Sequence, residues 1–325
     1  MKVNKKIVFI VLLILLLISS LLLLKESESK KIIVYDVAVI TRGRNSDIWT
    51  RMKAGMEQAS SEMNINLRFI YLLEENSVTE QKDILEREMN RGTDAIIISP
   101  ADYTELSTLI ENINKKIPIV LFESKIDTKQ AIPYISCDNY KLGKNLGEEL
   151  IKNGNTRSNI AVVKSDVSYS SIEERYVGFI EEISSSKNSY ELIEMPLDDS
   201  KLYNQIKVLM EEDKFDVIVA FDTNALEAIG KAKKYVLNNS EIKNNNIDLY
   251  GTGCTSTIIS LIEENIIKSI SMQNEFNVGY LSVKDAVLKI QGKKIEKTVD
   301  IISTVINRKN MYSKENQKML FPIIR

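Results

Sequence analysis

The sequence predicts an α/β fold: two doubly wound lobes of parallel sheet, joined by a hinge that the chain crosses several times and preceded by one N-terminal transmembrane helix. Three observations predict it. From Lys31 onward, short and nearly continuous apolar runs rich in Val and Ile alternate with stretches of helical period, the pattern of parallel strands covered on both faces. In a chain of 325 residues with 44% hydrophobic content, this alternation is too long for one ordinary sheet and divides naturally into two. An uncharged run from Ile7 to Leu24 stands ahead of both.

That first run follows Lys2, Lys5 and Lys6 and is broken only by Ser19 and Ser20. As a helix it reaches roughly 27 Å, enough for a bilayer core. The positive flank predicts a cytoplasmic N-terminus and an extracytoplasmic remainder. The alternative is a cleaved signal peptide, for which Ser27-Glu28-Ser29 offers a small-x-small site, although the apolar run exceeds the usual ~7–15 residues. No cysteine follows the run, so the sequence carries no lipid-accepting position there.

The strand candidates then come in order: IIVYDVAVI (32–40), LRFIYL (67–72), DAIIIS (94–99), PIVLFE (118–123), the short IPYIS (132–136), NIAVVK (159–164), DVIVAF (216–221) and IDLYG (247–251). In the helix predicted over 48–63, Ile48, Met52, Met56, Ala59 and Met63 share one stripe, and Ser46 or Asp47 can cap its start. The chain is expected to cross between lobes near Cys137-Asp138 and to return near Met272-Gln273, with a helix from about Phe276 to Gln291 packing on the first lobe. The tail from Val299 is expected to go back to the second. The resulting division is an anchor over 1–31, lobe one over 32–137 and 273–298, and lobe two over 138–272 and 299–325. SSSKNS (184–189) and NNSEIKNNN (238–246) read as surface turns.

Composition narrows function. With no histidine in the chain, Ser-His and Cys-His nucleophile pairs and the commonest zinc ligand are excluded. Cys137 and Cys254, far apart and outside any C-x-x-C pair, could form a disulfide in an extracellular setting, but nothing in the spacing requires it and two separately buried thiols are the preferred reading. The net charge is −2, and the first 31 residues carry six lysines against two glutamates, so the remainder is acidic at −6, which argues against nucleic acid as a partner. GTGCTS (251–256) lacks the third glycine of a dinucleotide fingerprint and lies late in the chain, and there is no P-loop. No cofactor, metal or catalytic residue is expected.

Ligands of doubly wound sheets sit at the carboxyl ends of strands. The segments there are TRGRNSDIW (41–49), SPADY (99–103), ESK (123–125), DTN (222–224) and GTGCT (251–255). They supply carboxylates, amides, guanidinium groups and the sole indole, Trp49, the inventory for holding hydroxyls around an apolar stacking surface. Trp49 lies about 100° around the helix from Ile48, so it can face the cleft and stack on a sugar ring, or it can plug the junction of helix and sheet. Glu123 and Asp222 read as hydroxyl acceptors in different lobes rather than as a glycosidase pair.

The segments VAVITRGRNSDIWTRMKAGMEQA (37–59), RGTDAIIISPAD (91–102), IPIVLFES (117–124), CDNYKLGKNLGEEL (137–150), ERYVGF (174–179), FDTNALEAIGKA (221–232) and SMQNEFNVGYLSVKDAV (271–287) together resemble the type I periplasmic-binding-protein-like receptors, in particular the ribose- and galactose-type sugar binders. Gly143 and Gly147, four apart, would give one helix a bare face for close packing on its sheet. The resemblance implies a ligand site carried by Ile48 and Trp49 in place of an aromatic pair, Glu123 as hydroxyl acceptor, Arg175 as hydroxyl donor, Asp222, Cys137 at a position often serine, and Gln273 at the hinge. Two positions depart from the family: Gly253 stands in place of an aspartate and Ser124 in place of the arginine of ribose binders. Arg42, Arg44 and Ser46 complete the expected set, the two arginines supplying polarity or suiting an acidic ligand. The repressors that share this fold begin with a helix-turn-helix, whose place is taken here by the apolar run.

The resemblance implies a receptor that closes on a small sugar, or on another small polar molecule, and breaks no bond. Its membrane partner would be the permease of an ABC transporter, for delivery, or a histidine kinase of a two-component system, for sensing.

Overall fold

The computed structural model describes residues 9, 13–20, 34–44, 46–164, 169–194, 199–212, 214–239, 247–295 and 298–321. The chain divides into two compact units, Met1–Val34 and Tyr35–Arg325. In the first unit, residues 13–20 are helical and their apolar side chains are exposed. Phe9 is likewise helical and exposed, while the other residues of the Ile7–Leu24 run and the Ser27-Glu28-Ser29 site lie outside the described residues. No helix among the described residues is long and apolar enough to cross a membrane.

The second unit is built on two six-stranded sheets. The first contains β1 (Tyr35–Ile40), β2 (Ile65–Ile70), β3 (Ala95–Ile98), β4 (Ile119–Phe122), β5 (Tyr134–Cys137) and β11 (Thr298–Ile301), in the order β11-β5-β4-β3-β1-β2. The second contains β6 (Asn159–Lys164), β7 (Ser189–Glu194), β8 (Val217–Ala220), β9 (Asp248–Thr252), β10 (Ser269–Gln273) and β12 (Ser303–Asn307), in the order β12-β10-β9-β8-β6-β7. All described pairings are parallel except β10 with β12. The strand order reverses beside β1 in one sheet and beside β6 in the other, which opens the strand ends for a site.

Each sheet is covered on both faces. In the first, Val37, Val39, Ile97, Val120 and Phe122 point into one cluster, while Ala38, Ile40, Ile96, Ile98 and Leu121 point into another. Ile160, Val162, Val217 and Val219 of the second sheet likewise face away from Ala161, Val163, Ile218 and Ala220. This two-sided burial is why these strands read as apolar runs rather than as alternations.

Helices α1 (Asp47–Met63), α2 (Val78–Arg91), α3 (Ser107–Asn114) and α9 (Glu275–Ile290) accompany the first sheet. The second is flanked by α4 (Asn139–Lys152), α5 (Ser170–Ile183), α6 (Asp199–Glu211), α7 (Thr223–Asn239) and α8 (Ser256–Glu263), and α10 (Lys314–Leu320) ends the described chain. Met52, Met56 and Ala59 of α1 are buried, as the helical stripe predicts, and Ser46 is the extended N-cap, without a side-chain capping bond. Asp138 caps α4 by accepting from the Lys141 N–H at 2.8 Å.

Two helix pairs cross through glycines. A Cβ on Gly55 of α1 would lie 2.0 Å from the Phe276 carbonyl oxygen, and one on Gly279 of α9 would lie 1.9 Å from that of Met52. In α4 and α5, Gly143 and Gly178 meet the carbonyl oxygens of Arg175 and Tyr140 at 1.9 and 2.0 Å in the same sense. The spare face expected of Gly143 therefore packs on a neighbouring helix rather than on the sheet.

The chain passes between the two sheets after β5, after β10, and between β11 and β12. The third passage falls later than the expected Val299, because Thr298–Ile301 pairs in register with Tyr134–Cys137. Two of the passages are bonded to each other: the Cys137 N–H donates to Gln273 Oε1 at 3.0 Å. Strands β7, β10, β11 and β12 were not expected. β7 is an exposed edge with the polar sequence SYELIE, and β10 buries Ser269 and Ser271 where an apolar run would have marked it. SSSKNS is a turn over residues 184–187, as expected, and its last residue, Ser189, opens β7. Within NNSEIKNNN, Asn238 and Asn239 end α7 and the rest lies outside the described residues.

Candidate functional site

The carboxyl ends of both sheets converge on a cluster of buried charges. Arg42 leaves the end of β1 and Glu123 the end of β4, and they form a two-pronged ion pair, Nε to Oε2 at 3.0 Å and Nη2 to Oε1 at 3.2 Å. Glu123 adopts the left-handed backbone region at φ 63°, which re-aims its side chain at the strand end; a non-glycine residue there is uncommon and clusters at functional sites. Ser99 and Ser171 each donate to its carboxylate at 3.1 Å.

Tyr169 and α5 bring the second sheet's side to the same point. The Tyr169 ring lies 4.1 Å from the Arg42 guanidinium, and the Trp49 ring lies 5.6 Å from it. Arg175 of α5 donates Nε to Asn139 Oδ1 at 2.9 Å and Nη1 to both the Phe221 carbonyl and Thr252 Oγ1 at 3.3 Å. Its Nη2 stands 3.9 Å from Glu123. Further bonds span the two sides: Ser124 with Ser170 at 3.2 Å, the Lys125 N–H with Ser170 at 3.0 Å, and Lys125 Nζ with Glu174. Arg51 of α1 reaches the Cys254 carbonyl at 2.8 Å and donates twice, at 3.2 Å, to that of Leu320.

Electrostatics follow from this packing. Burial pushes the Glu123 carboxyl up, but the charge and hydrogen bonds of Arg42, with Arg175 and Ser171, overcome it and hold the group down at about 2. Glu275, at the first turn of α9, lacks such partners; burial raises its carboxyl to about 7 against the weaker pull of Arg51 and Arg175. The Cys137 thiol is pushed up by burial to about 12. Both cysteines are free and buried.

Trp49, Arg42, Glu123, Arg175, Gly253, Gln273 and Glu275 border one small cavity of about 20 Å³. It is large enough for about one water and far below the ~300 Å³ of an ordinary ligand pocket.

The expected residues fall into three groups. Arg42, Trp49, Glu123, Arg175, Gly253 and Gln273 meet at the cavity. Trp49 is also built into the core: it is buried, with its ring edge-on to Phe122 at a centroid distance of 6.0 Å. Gly253 sits at φ +94°, and a Cβ there would lie 1.9 Å from Thr223 Oγ1, so the missing aspartate would need both a different backbone and a displaced Thr223.

Asp222 and Cys137 lie beside the site, whereas Ser46 is seen only as the N-cap of α1. Asp222 Oδ1 accepts from the Ala225 N–H at 3.0 Å at the start of α7, and Cys137 is tied to Gln273. Arg44 is turned elsewhere: it is exposed and donates Nε to the Leu73 carbonyl at 2.6 Å, beyond β2. The polarity expected of it at the cleft comes instead from Arg51. The Ile48 side chain lies outside the described residues.

Sequence reasoning missed Arg51, Tyr169, Ser171 and Glu275, and took in Ser99 only as part of the strand-end segment SPADY (99–103). Two faint signals pointed to Ser171 and Glu275. Ser170 and Ser171 open the helix that carries Arg175, and Glu275 lies two residues beyond Gln273.

Residues 37–294 match the family model described as periplasmic binding protein domain. The chain belongs to that family. It is a solute-binding protein and not an enzyme. Among curated proteins it is similar to the ribose import binding protein of Bacillus subtilis strain 168, at 21% identity over 78% of this chain and 81% of the relative. Among solved structures it is similar to a carbohydrate transporter solute-binding protein from Agrobacterium radiobacter in complex with D-arabinose (TM-score 0.79, 18% identity, 88% of this chain and 98% of the other). An ABC transporter solute-binding protein from Agrobacterium vitis with bound D-fucose is similar in the same measure (TM-score 0.79, 21% identity, 88% and 100%). At these identities the two structures bear on the fold.

Proposed function

We propose that this protein is an extracytoplasmic receptor that closes on a small sugar between its two lobes and hands the sugar, or the news of its presence, to a partner in the membrane. One observation carries the reading. Guanidinium, carboxylate and hydroxyl groups from both sheets converge beside an indole at the strand ends, the equipment for ordering a hydroxyl-rich ring. The sugars named for its relatives support it.

A cavity of about 20 Å³ does not admit a sugar, so binding requires the lobes to part about the three passages and close again. The bonds of Ser171 to Glu123, Ser170 to Ser124 and Arg51 to Cys254 would break on opening. Closure would then present a composite surface to the permease of an ABC transporter or to a histidine kinase. The apolar run from Ile7 to Leu24 supports an anchored receptor, and with no lipid-accepting cysteine after it, sensing is the favoured role.

The test is a thermal-shift screen of the full chain in detergent against D-ribose, D-arabinose, D-fucose, D-galactose, D-glucose, D-allose and D-galacturonic acid. A ligand of the native state at 100 times its Kd stabilises by about 2.7 kcal/mol, which raises the melting temperature by several degrees. No shift with any of these sugars removes the reading.

A further inference from the structure

In the cleft, two buried carboxylates face the same cavity, and they are not equivalent. Glu123 is saturated. Its Oε2 accepts from Arg42 Nε and Ser99, and its Oε1 accepts from Arg42 Nη2 and Ser171, with Arg175 close behind. A carboxylate has about four lone-pair directions, so in this ligand-free arrangement all of those of Glu123 are taken.

Glu275 is the opposite case. Its side chain is 7% exposed, it borders the cavity, and its Oε2 has no hydrogen-bond partner. The nearest cation, Arg51 Nη1, stands 3.8 Å away and is already committed to the Cys254 carbonyl, while the rest of that guanidinium is held by Leu320. A buried acceptor left open in this way costs stability unless something completes it.

We propose that Glu275 is a further ligand-contacting carboxylate of this cleft, accepting a hydrogen bond from a sugar hydroxyl, while Glu123 holds Arg42 beside it. The inference deepens the sugar-receptor reading and rests on it. The donor it takes is neutral. Arg42, Arg51 and Arg175 surround the site, and their charge disfavours an ammonium group.

Ligand binding then acquires a pH dependence with a defined sign. The groups facing Glu275 are Arg42 after β1, Arg51 of α1, Glu123 after β4, Arg175 of α5 and Cys254 after β9. Glu123 is held down at about 2 and the Cys254 thiol is pushed up to about 12. Glu275, near 7, is the one of these that changes charge between pH 6 and pH 8. A hydroxyl donates more strongly to the ionised carboxylate than to the neutral acid, so affinity rises with pH, by about tenfold across that interval if the bond is formed.

The experiment is calorimetric titration of the full chain in detergent with the sugar from the panel above that gives the largest melting shift. It is run at pH 6 and pH 8 on the wild type, Glu275→Gln and Glu275→Asp. Expected are about tenfold tighter binding at pH 8 by the wild type, a weaker and pH-independent affinity for Glu275→Gln, and a retained slope for Glu275→Asp. A flat wild-type profile overturns the inference whether or not the variants fold, and so does a slope that persists in a cooperatively melting Glu275→Gln. Flat but measurable binding removes the role of Glu275 alone, whereas no binding of any sugar removes the receptor reading with it.

Discussion

Replacing Arg42 by alanine strips Glu123 of two hydrogen bonds, at 3.0 and 3.2 Å, and of its nearest counter-charge. What remains is a side chain 6% exposed, two serine hydroxyls, and Arg175 at 3.9 Å. Breaking a buried ion pair from one side costs about 3–5 kcal/mol. The guanidinium also stacks on Tyr169, a contact worth about 0.5–2 kcal/mol, while Arg175 offsets part of the loss. The expected change is about 4 kcal/mol at pH 7, a large share of the ~5–15 kcal/mol that holds a domain folded.

The pH dependence provides an internal control. In the wild type the Glu123 carboxyl is lowered from 4.5 to about 2, so its contribution is present above about 4.5 and is lost as pH falls toward 2. In the variant, burial is no longer opposed by Arg42 and the folded carboxyl lies above its ordinary value. That stability is present in acid and lost as pH rises. The deficit of Arg42→Ala should therefore be larger at pH 7 than at pH 4. Urea unfolding followed by circular dichroism at both values measures it. A deficit below about 1 kcal/mol at pH 7, or one equal at the two values, would refute the reasoning.

Trp49→Ala should lower the stability of the sugar-free protein by about 3–5 kcal/mol as well as weaken sugar binding, because the indole packs on Phe122 as well as bordering the cleft; an unchanged melt would contradict its place in the core. Gly143→Ala should cost about 1–3 kcal/mol or more, since the new Cβ meets a backbone carbonyl that cannot rotate away; chemical denaturation checks it, and reduced sugar affinity should accompany it through the shift of Arg175. Cys137 and Cys254, both buried and both pushed up to about 12, should leave an aromatic disulfide reagent unreacted until urea unfolds the chain; stoichiometric labelling under native conditions would count against their burial.

The sheets were legible where burial is two-sided. AIII of β3 and IVLF of β4 have every residue buried and stand out in the sequence as apolar runs. β10 was not legible, because Ser269 and Ser271 are buried polar residues whose neighbours in space, not in sequence, make the position strand-like. The boundary at Val299 was misplaced for a related reason: β11 and β12 are separated by Ile302 alone but pair in different sheets, and no local pattern distinguishes their partners.

At the cleft, strand-end position singled out Arg42, Glu123 and Trp49. It did not single out Arg51, whose guanidinium reaches backbone carbonyls more than 200 positions away in the chain, a contact set wholly by tertiary structure. Nor did it separate Arg42 from Arg44, two residues apart, of which one enters the ion pair and the other leaves for Leu73.

The pairing of α1 with α9 governs the order in which the molecule can be made. The N-terminal lobe lacks an edge strand and a whole helix until the ribosome has passed Ile301, well after every strand of the other lobe except β12 has been synthesised. Until then Gly55 and Met52 have no helix to nest against, and the apolar face they mark stays wet and adhesive. A nascent chain halted before Glu275 therefore leaves its earliest-made half unfinished, and quality control acting on this protein will see that half exposed the longest.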